Sequence, residues 1–231
     1  MKTLQNLEVL EKHPVFSNST PGREVSDNYV NLYLHRLFKK HLIIRIAKNI
    51  YTLHNDPFII ASRIVWPSYI SCWSSLNFHN FTNQVPHSIF VVIPYYRKAI
   101  KFQNTEIIFI KTKSKNMFGY EKVNYRGFEI FVADKEKSII DSALLKQASF
   151  SSLKEIVEDN LNYINTRKFI KYLKRIGNKS LIKRFGYLFD KLGKNYYNEL
   201  KIYIDNVYIP LDYTKGKTGI KNKIWKIIEN A

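Results

Sequence analysis

The sequence predicts an α+β fold, with an N-terminal winged helix-turn-helix followed by a mixed α/β domain that has a helical C-terminal part. A helix-like pattern before residue 40 leads directly into two short β-rich stretches. Apolar residues then alternate, as in strands, over much of 88–133, and recur every three or four positions beyond it. A length of 231 residues accommodates two domains. We therefore expect a winged helix over 1–56 and a second domain over 57–231, mixed to residue 150 and mainly helical from 151.

The first domain contains two well-marked helices. One is predicted over Met1–Lys12 and ends at Pro14, because the residue before a proline disfavours helical backbone. The other begins after Ser26, a favourable N-cap, and spaces its apolar residues three and four positions apart. This stripe is expected to face a core and consists of Val30, Tyr33, Leu34 and Leu37.

A basic hairpin is predicted directly after this helix. Its strands, Leu42–Ile46 and Ile50–Leu53, are joined by Ala47-Lys48-Asn49, a turn in which Asn can take a positive φ. A helix followed by such a hairpin is typical of a winged helix, which inserts one helix into the major groove of DNA. Asn, Arg and Lys side chains read base edges or bind phosphates. The candidate DNA-binding residues are Arg23, Ser26, Asn28, Tyr29, Asn31, Arg45 and Lys48. The alternative is a winged helix that contacts another protein.

The second domain is predicted to begin with helices and strands and to end with helices. The early helices are Phe58–Val65 and Ser71–Phe78. The predicted strands are Ile89–Ile93, Ala99–Phe102, Glu106–Lys111, Glu121–Tyr125 and Phe128–Ala133, with Arg126-Gly127 as a hairpin turn between the last two. The later helices are Asp134–Lys146, Leu153–Ile164, Thr166–Ile176 and Lys179–Leu192. A short strand is predicted over Asn206–Leu211, and a last strand or helix over Ile220–Ile228.

The net charge of +18 favours an anionic partner. Nucleic acid is favoured over a membrane surface, because we find no amphipathic terminal helix or lipidation signal. The charge is uneven, at +3 over 1–56, +6 over 57–150 and +9 over 151–231. Cys72 is the only cysteine, which excludes an internal disulfide and a thiolate zinc cluster. With no signal peptide or transmembrane stretch recognised, we expect a cytoplasmic protein.

No motif in the sequence predicts an enzyme. Asp134, Glu136 and Asp141 could form a metal site, but the first two lie in the first turn of a predicted helix, where acids offset the helix dipole. Gly216-Lys217-Thr218 lacks the earlier glycine and the strand-to-helix context of a phosphate loop. Cys72 between apolar neighbours indicates a core residue rather than a nucleophile paired with a histidine. We expect no catalytic activity, no metal and no cofactor.

The helices of residues 166–185 carry a run of basic residues without any acid from Arg167 to Phe189. Their spacing places many of them on one helix face. Such a face could bind DNA, could bind an acidic partner, or could be merely solvated. The candidate residues of this second basic face are Lys171, Lys174, Arg175, Lys179, Lys183 and Arg184.

Several segments, in this order and spacing, resemble the AbiEi antitoxin family, the regulator half of type IV toxin–antitoxin pairs. The segments that carry the resemblance are 42–51 (LIIRIAKNIY), 67–71 (PSYIS) with Ser75-Leu76, 132–141 (VADKEKSIID), 177–188 (GNKSLIKRFGYL) and 208–212 (YIPLD). Where the family has Gly-Val-Tyr at the end of the wing, this chain has Asn49-Ile50-Tyr51, and Asn tolerates the same left-handed backbone.

The resemblance implies two functions for the chain. A winged helix would bind double-stranded DNA at its own promoter and repress its own operon. The C-terminal domain would counter a cognate nucleotidyltransferase toxin, for which a stable complex is not required. The alternatives are a stand-alone winged-helix transcriptional regulator without a toxin, and a non-catalytic adaptor that binds proteins. A nucleotidyltransferase gene next door would favour the antitoxin.

Overall fold

The structure is a computed structural model that describes residues 10–17 and 27–230, with the side chains of 27–29 left out. Most of the predicted helix Met1–Lys12 lies outside the described residues, as do Arg23 and Ser26. The side chains of Asn28 and Tyr29 also lie outside them. No outcome follows for these four candidate residues.

The described residues form an α+β fold with three sheets. The helices are α1 Asp27–Lys39, α2 Pro57–Ala61, α3 Cys72–Phe78, α4 Lys135–Leu144, α5 Phe150–Asp159, α6 Thr166–Ile176, α7 Lys179–Lys191 and α8 Tyr197–Leu200. The strands are β1 Phe16–Ser17, β2 Ile44–Ala47, β3 Ile50–Thr52, β4 Tyr69–Ile70, β5 Ser88–Ile93, β6 Ile100–Phe102, β7 Thr105–Lys111, β8 Tyr120–Tyr125, β9 Phe128–Ala133, β10 Ile209–Pro210, β11 Ile220–Asn222 and β12 Ile227–Glu229. None of the helices in the described part of the chain is long and apolar enough to cross a lipid bilayer.

The chain divides into two compact units. The first unit comprises 1–70, 87–111 and 122–131, and the second comprises 71–86, 112–121 and 132–231. The expectation that residues 1–56 form a domain of their own stays a prediction.

In the first unit, helix α1 packs with a three-stranded sheet of order β1-β3-β2. Phe16 on β1 lies opposite Tyr51 on β3, and both are buried. Val30, Leu34 and Leu37 of α1 are buried in the same cluster, which confirms the predicted apolar stripe. Strand β1 was not predicted, because two residues are too few to show an alternating pattern.

A six-stranded sheet of order β6-β7-β5-β4-β9-β8 contains the strands of the middle segment. The pairing of β5 with β7 is parallel, whereas β6 pairs with β7 in the antiparallel sense, so β6 forms one edge of the sheet. The turn between β8 and β9 has positive φ at Arg126 and Gly127, which confirms the predicted hairpin. Strand β4 was not predicted, because its two residues form a strand only through their pairing with Val91 and Val92 of β5.

In the second unit, helices α4 to α7 surround an aromatic core that includes Phe169, Phe185 and Trp225. The indole of Trp225 lies so close to Gly186 that a Cβ at this position would overlap the ring. The predicted helix Leu153–Ile164 is shorter than expected, since α5 ends at Asp159 and a 3-10 turn follows. The segment 220–228 forms the two antiparallel strands β11 and β12 rather than one element.

Candidate nucleic-acid interface

Helix α1 has one buried and one exposed face. Val30, Leu34 and Leu37 point into the core, whereas the residue after Val30 is rotated by about 100° around the helix axis and faces solvent. Asn31, a predicted DNA-binding residue, is accordingly exposed. The exposed residues that follow it on the helix and directly after it are Leu32, His35, Arg36, Lys39 and Lys40. Apart from Leu32, the exposed face is polar and basic, as a helix that enters a DNA groove requires.

The hairpin formed by β2 and β3 presents the two predicted wing cations. Arg45 is exposed on β2, and its Nε donates a hydrogen bond to the carbonyl oxygen of Ala47 at 3.3 Å. The register shifts between Arg45 and Ala47, so the strand bulges just before the turn. Lys48 and Asn49 are exposed at the tip, and Asn49 adopts a φ of 60°, as predicted for this turn.

The positive charge of this segment is not neutralised within it. From Asn28 to Asn55 the sequence contains no Asp or Glu. Among the residues whose side chains are described, no ion pair involves its cations. These cations are Arg36, Lys39, Lys40, Arg45 and Lys48. An exposed surface of this kind attracts an anionic ligand over a distance of about 10 Å at 0.1 M salt.

Arg36 and Lys40 are exposed and basic, but they were not among the DNA-binding residues predicted from the sequence. The absence of acids between Asn28 and Asn55 was visible in the sequence and is the signal that identifies them.

The acidic residues at the start of α4 are engaged by protein donors. Asp134 caps the helix by accepting a hydrogen bond from the Lys137 amide at 2.8 Å, which confirms the predicted capping role. Glu136 accepts a hydrogen bond from the Asn165 amide at 2.8 Å. The ammonium of Lys168 lies 3.1 Å from Asp134 and 2.9 Å from Glu136.

The contacts of Lys168 with Asp134 and Glu136 determine the direction of its pKa shift. Partial burial lowers the pKa of its ammonium, but hydrogen bonds and the charges of Glu136 and Asp134 outweigh burial and raise it above the usual range. Tyr172 donates a hydrogen bond to Asp134 at 2.7 Å, and burial together with that carboxylate raises the pKa of Tyr172 to about 12.

The third acid, Asp141, is buried and forms an ion pair with the equally buried Lys137. Its second oxygen accepts a hydrogen bond from the Ser71 hydroxyl at 2.9 Å. Within the described residues no three His, Cys, Asp or Glu side chains are grouped as metal ligands. The three carboxylates thus join α4 to neighbouring segments.

Cys72 lies at the start of α3 with a φ of 55° and is fully buried. Burial, and secondly the charge of Asp141, raise the pKa of its thiol far above the usual range. His79 is not placed to activate it, since its Nε2 lies 2.7 Å from the carbonyl oxygen of Ala133. The position is that of a core cysteine.

The second basic face is smaller than the sequence predicted. Lys183 is buried and binds Asp205 and the carbonyl oxygen of Val207, while Arg184 is buried against the carbonyl oxygens of Pro210 and Leu211. These two residues are therefore not part of an exposed face, and assigning them to it was wrong.

Two further members of the face are ion-paired. Lys174 binds Glu199 at 2.6 Å, and Lys179 lies 3.5 Å from Asp205. Both acids lie beyond the acid-free stretch from Arg167 to Phe189 in the sequence. Lys171 and Arg175 remain exposed, and Arg167 extends their row by one helical turn. Arg175 stacks on the ring of Phe118 at 3.8 Å from its centre.

Comparison with known proteins gives no assignment. No protein-family model and no curated protein matches this sequence.

Proposed function

We propose that the protein binds double-stranded DNA through a winged helix formed by α1 and the β2–β3 hairpin. The arrangement supports this proposal, because α1 precedes a hairpin whose strands complete a small antiparallel sheet with β1. In a winged helix, such a helix lies in the major groove and the hairpin runs along the phosphate backbone.

The observation that carries the proposal is the set of exposed residues within 30–55, a stretch that contains no Asp or Glu. On this surface, Arg45 and Lys48 of the hairpin would bind phosphates of the DNA backbone. Asn31 would lie near the base edges, since it is on the exposed face of α1. Asn28 and Tyr29 would lie beside it on the sequence prediction, and Arg23 and Ser26 remain candidates by sequence alone.

Repression of its own promoter is the regulatory role we propose for this binding. The test is a gel shift with the duplex upstream of the gene, compared with an unrelated duplex of equal length. We expect tighter binding to the upstream duplex, and weaker binding to both duplexes by the variant Arg45→Gln/Lys48→Gln, with a shallower salt dependence. The matched control is Lys215→Gln/Lys217→Gln, which removes the same charge from an exposed loop of the other unit.

Three results would decide against this proposal. The wild type could fail to bind any duplex at low salt. The Arg45/Lys48 variant could bind as well as the wild type. The control pair could weaken binding as much as the wing pair, which would mean that overall charge alone drives association.

A second function, neutralisation of a nucleotidyltransferase toxin, rests on the resemblance of five segments to the AbiEi family. A candidate contact for such a partner is the exposed row of Arg167, Lys171 and Arg175 on α6. The test is co-expression of the chain with a neighbouring nucleotidyltransferase. Protection lost in Arg167→Glu/Lys171→Glu/Arg175→Glu, with promoter binding intact, supports an antitoxin that uses this row.

Other outcomes separate the alternatives. Promoter binding with no protective effect supports a stand-alone regulator. If the wild type binds no DNA and gives no protection, the protein-binding adaptor is the remaining alternative.

A further inference from the structure

The edge of the six-stranded sheet lies beside the hairpin within the first unit. Residues of β6 and β2 approach within 8 Å between Cα atoms. Close by, the side-chain amide of Gln103 donates a hydrogen bond to Asn55 at 3.0 Å, which joins the turn after β6 to the segment after β3. The hairpin and the β6 edge are therefore parts of one continuous surface.

This edge carries its own positive charge. Lys98 precedes β6 and Lys101 lies in its centre, and both side chains are exposed. Lys101 must point away from the core, because its neighbour Phe102 is buried and successive strand residues alternate in direction. Arg97 lies over the ring of Phe109, 5.3 Å from its centre, so its guanidinium is held at the same edge. We refer to Arg97, Lys98 and Lys101 as the β6 basic edge.

One acid lies near this charge, because Glu106 on β7 is directly opposite Lys101 in the strand register, but among the described residues the two form no ion pair. Residues 28–105 contain nine Lys and Arg residues but one acid, Asp56. That acid is already engaged, since it caps α2 and accepts a hydrogen bond from Arg126 at 2.8 Å. The stretch that forms the hairpin and the β6 basic edge therefore carries a strong excess of positive charge.

The loop before β6 adds exposed aromatic groups. Tyr96 is 75% exposed and Tyr95 is 42% exposed. Tyrosine hydroxyls are among the groups that donate hydrogen bonds to DNA phosphates. Aromatic and basic groups therefore occur together at this edge.

We propose that the β6 basic edge is a second part of the DNA-binding surface, continuous with the wing. This inference rests on the proposed function. Lys98 and Lys101 would bind DNA phosphates further along the duplex than those bound by Arg45 and Lys48. The occupant is duplex DNA, because the edge adjoins the wing and its cations form no ion pair among the described residues. Binding at physiological salt needs several phosphate contacts, and residues 1–56 alone carry a net charge of only +3. The lysines of the β6 basic edge would supply the additional contacts.

The test measures the salt dependence of binding to a non-specific duplex, because phosphate contacts do not depend on sequence. The full-length variant Lys98→Gln/Lys101→Gln is compared with the wild type, with the wing variant Arg45→Gln/Lys48→Gln and with the control Lys215→Gln/Lys217→Gln. We expect the slope of log K against log salt to become shallower by about 2 for the edge pair, about 1 for each lysine. The control pair should leave the slope unchanged. Melting temperatures establish that each variant is folded.

The outcomes distinguish this inference from the proposed function. If the wing pair lowers the slope and the edge pair does not, the edge is not a DNA contact and only this inference is overturned. If the wild type binds no duplex, both are overturned. An edge pair that leaves DNA binding intact but abolishes toxin protection assigns the edge to a protein partner instead.

Discussion

The buried ammonium of Lys183 on α7 is held by Asp205, which lies beyond the end of that helix in the sequence. The hydrogen bond from Lys183 is the main reason that the pKa of Asp205 lies below its usual range. A residue that sequence spacing assigned to a binding surface is therefore part of the packing between α7 and the segment that follows α8.

Replacing Lys183 should therefore affect stability and not binding. We expect Lys183→Met to lower the free energy of unfolding by on the order of 2 kcal/mol, because the carboxylate and the Val207 carbonyl oxygen lose their donor. The exposed Lys171→Met is the control and should change stability by less than about 0.5 kcal/mol. Chemical denaturation measures both, and equal stability of the two variants would contradict the assignment.

Asn49 should be replaceable by glycine but not by a β-branched residue. Its φ of 60° is a left-handed conformation that costs an ordinary L-residue about 1–2 kcal/mol. Asn49→Gly should keep the hairpin and DNA affinity, whereas Asn49→Val should lower both the melting temperature and the affinity. Asn83→Val, at an exposed loop position, controls for the side chain itself. If Asn49→Val kept both the melting temperature and the DNA affinity, the turn would not require a left-handed backbone at residue 49.

Stability should fall at acidic pH because of Asp212. Burial raises the pKa of its carboxyl, but hydrogen bonds from the hydroxyl and amide groups of Ser151 and Thr214 outweigh burial and hold it well below its ordinary 3.8. The folded pKa is depressed, so the stabilisation is present above about pH 4 and is lost as the pH falls below it.

Asp212→Asn should accordingly be less stable at pH 7, by about 2 kcal/mol, and should show a weaker loss of stability between pH 4 and pH 2. Glu155→Gln, at an exposed position, is the control for removing a carboxylate. Denaturation midpoints across this range measure the effect. If the stability of the wild type and of Asp212→Asn fell in parallel as the pH was lowered, groups other than Asp212 would be responsible for the loss of stability in acid.

Asp134 should matter for folding and not for chemistry. Asp134→Ala removes the N-cap of α4 and one contact of Lys168, so we expect a loss of about 1–2 kcal/mol. Asp134→Ser keeps a capping oxygen but not the charge, and its intermediate stability would separate the cap from the ion pair. Purified wild type should show no nuclease activity with Mg²⁺ or Mn²⁺. A metal-dependent activity that Asp134→Ala abolishes would refute this prediction.

Local signals in the sequence were enough to predict most of the secondary structure. Gly177 ends α6 with a φ of 67°, and the side chain of Asn178 then caps α7 by accepting from the Leu181 amide at 3.0 Å. Both features depend on neighbouring residues only, so a single sequence contains them. Strand β4 depends instead on pairing with Val91 and Val92, far along the chain, and was missed for that reason.

The sequence by itself determined the α+β class, the amphipathic face of α1, the turn at Asn49 and the excess of positive charge, because each follows from local spacing or composition. Only the tertiary structure decided which cations are free. It buried Lys183 against Asp205 and Arg184 against backbone carbonyls, and it brought β6 beside β2. The physical reason is that a charge is neutralised by whatever lies near it in space, and such neighbours can be distant in sequence.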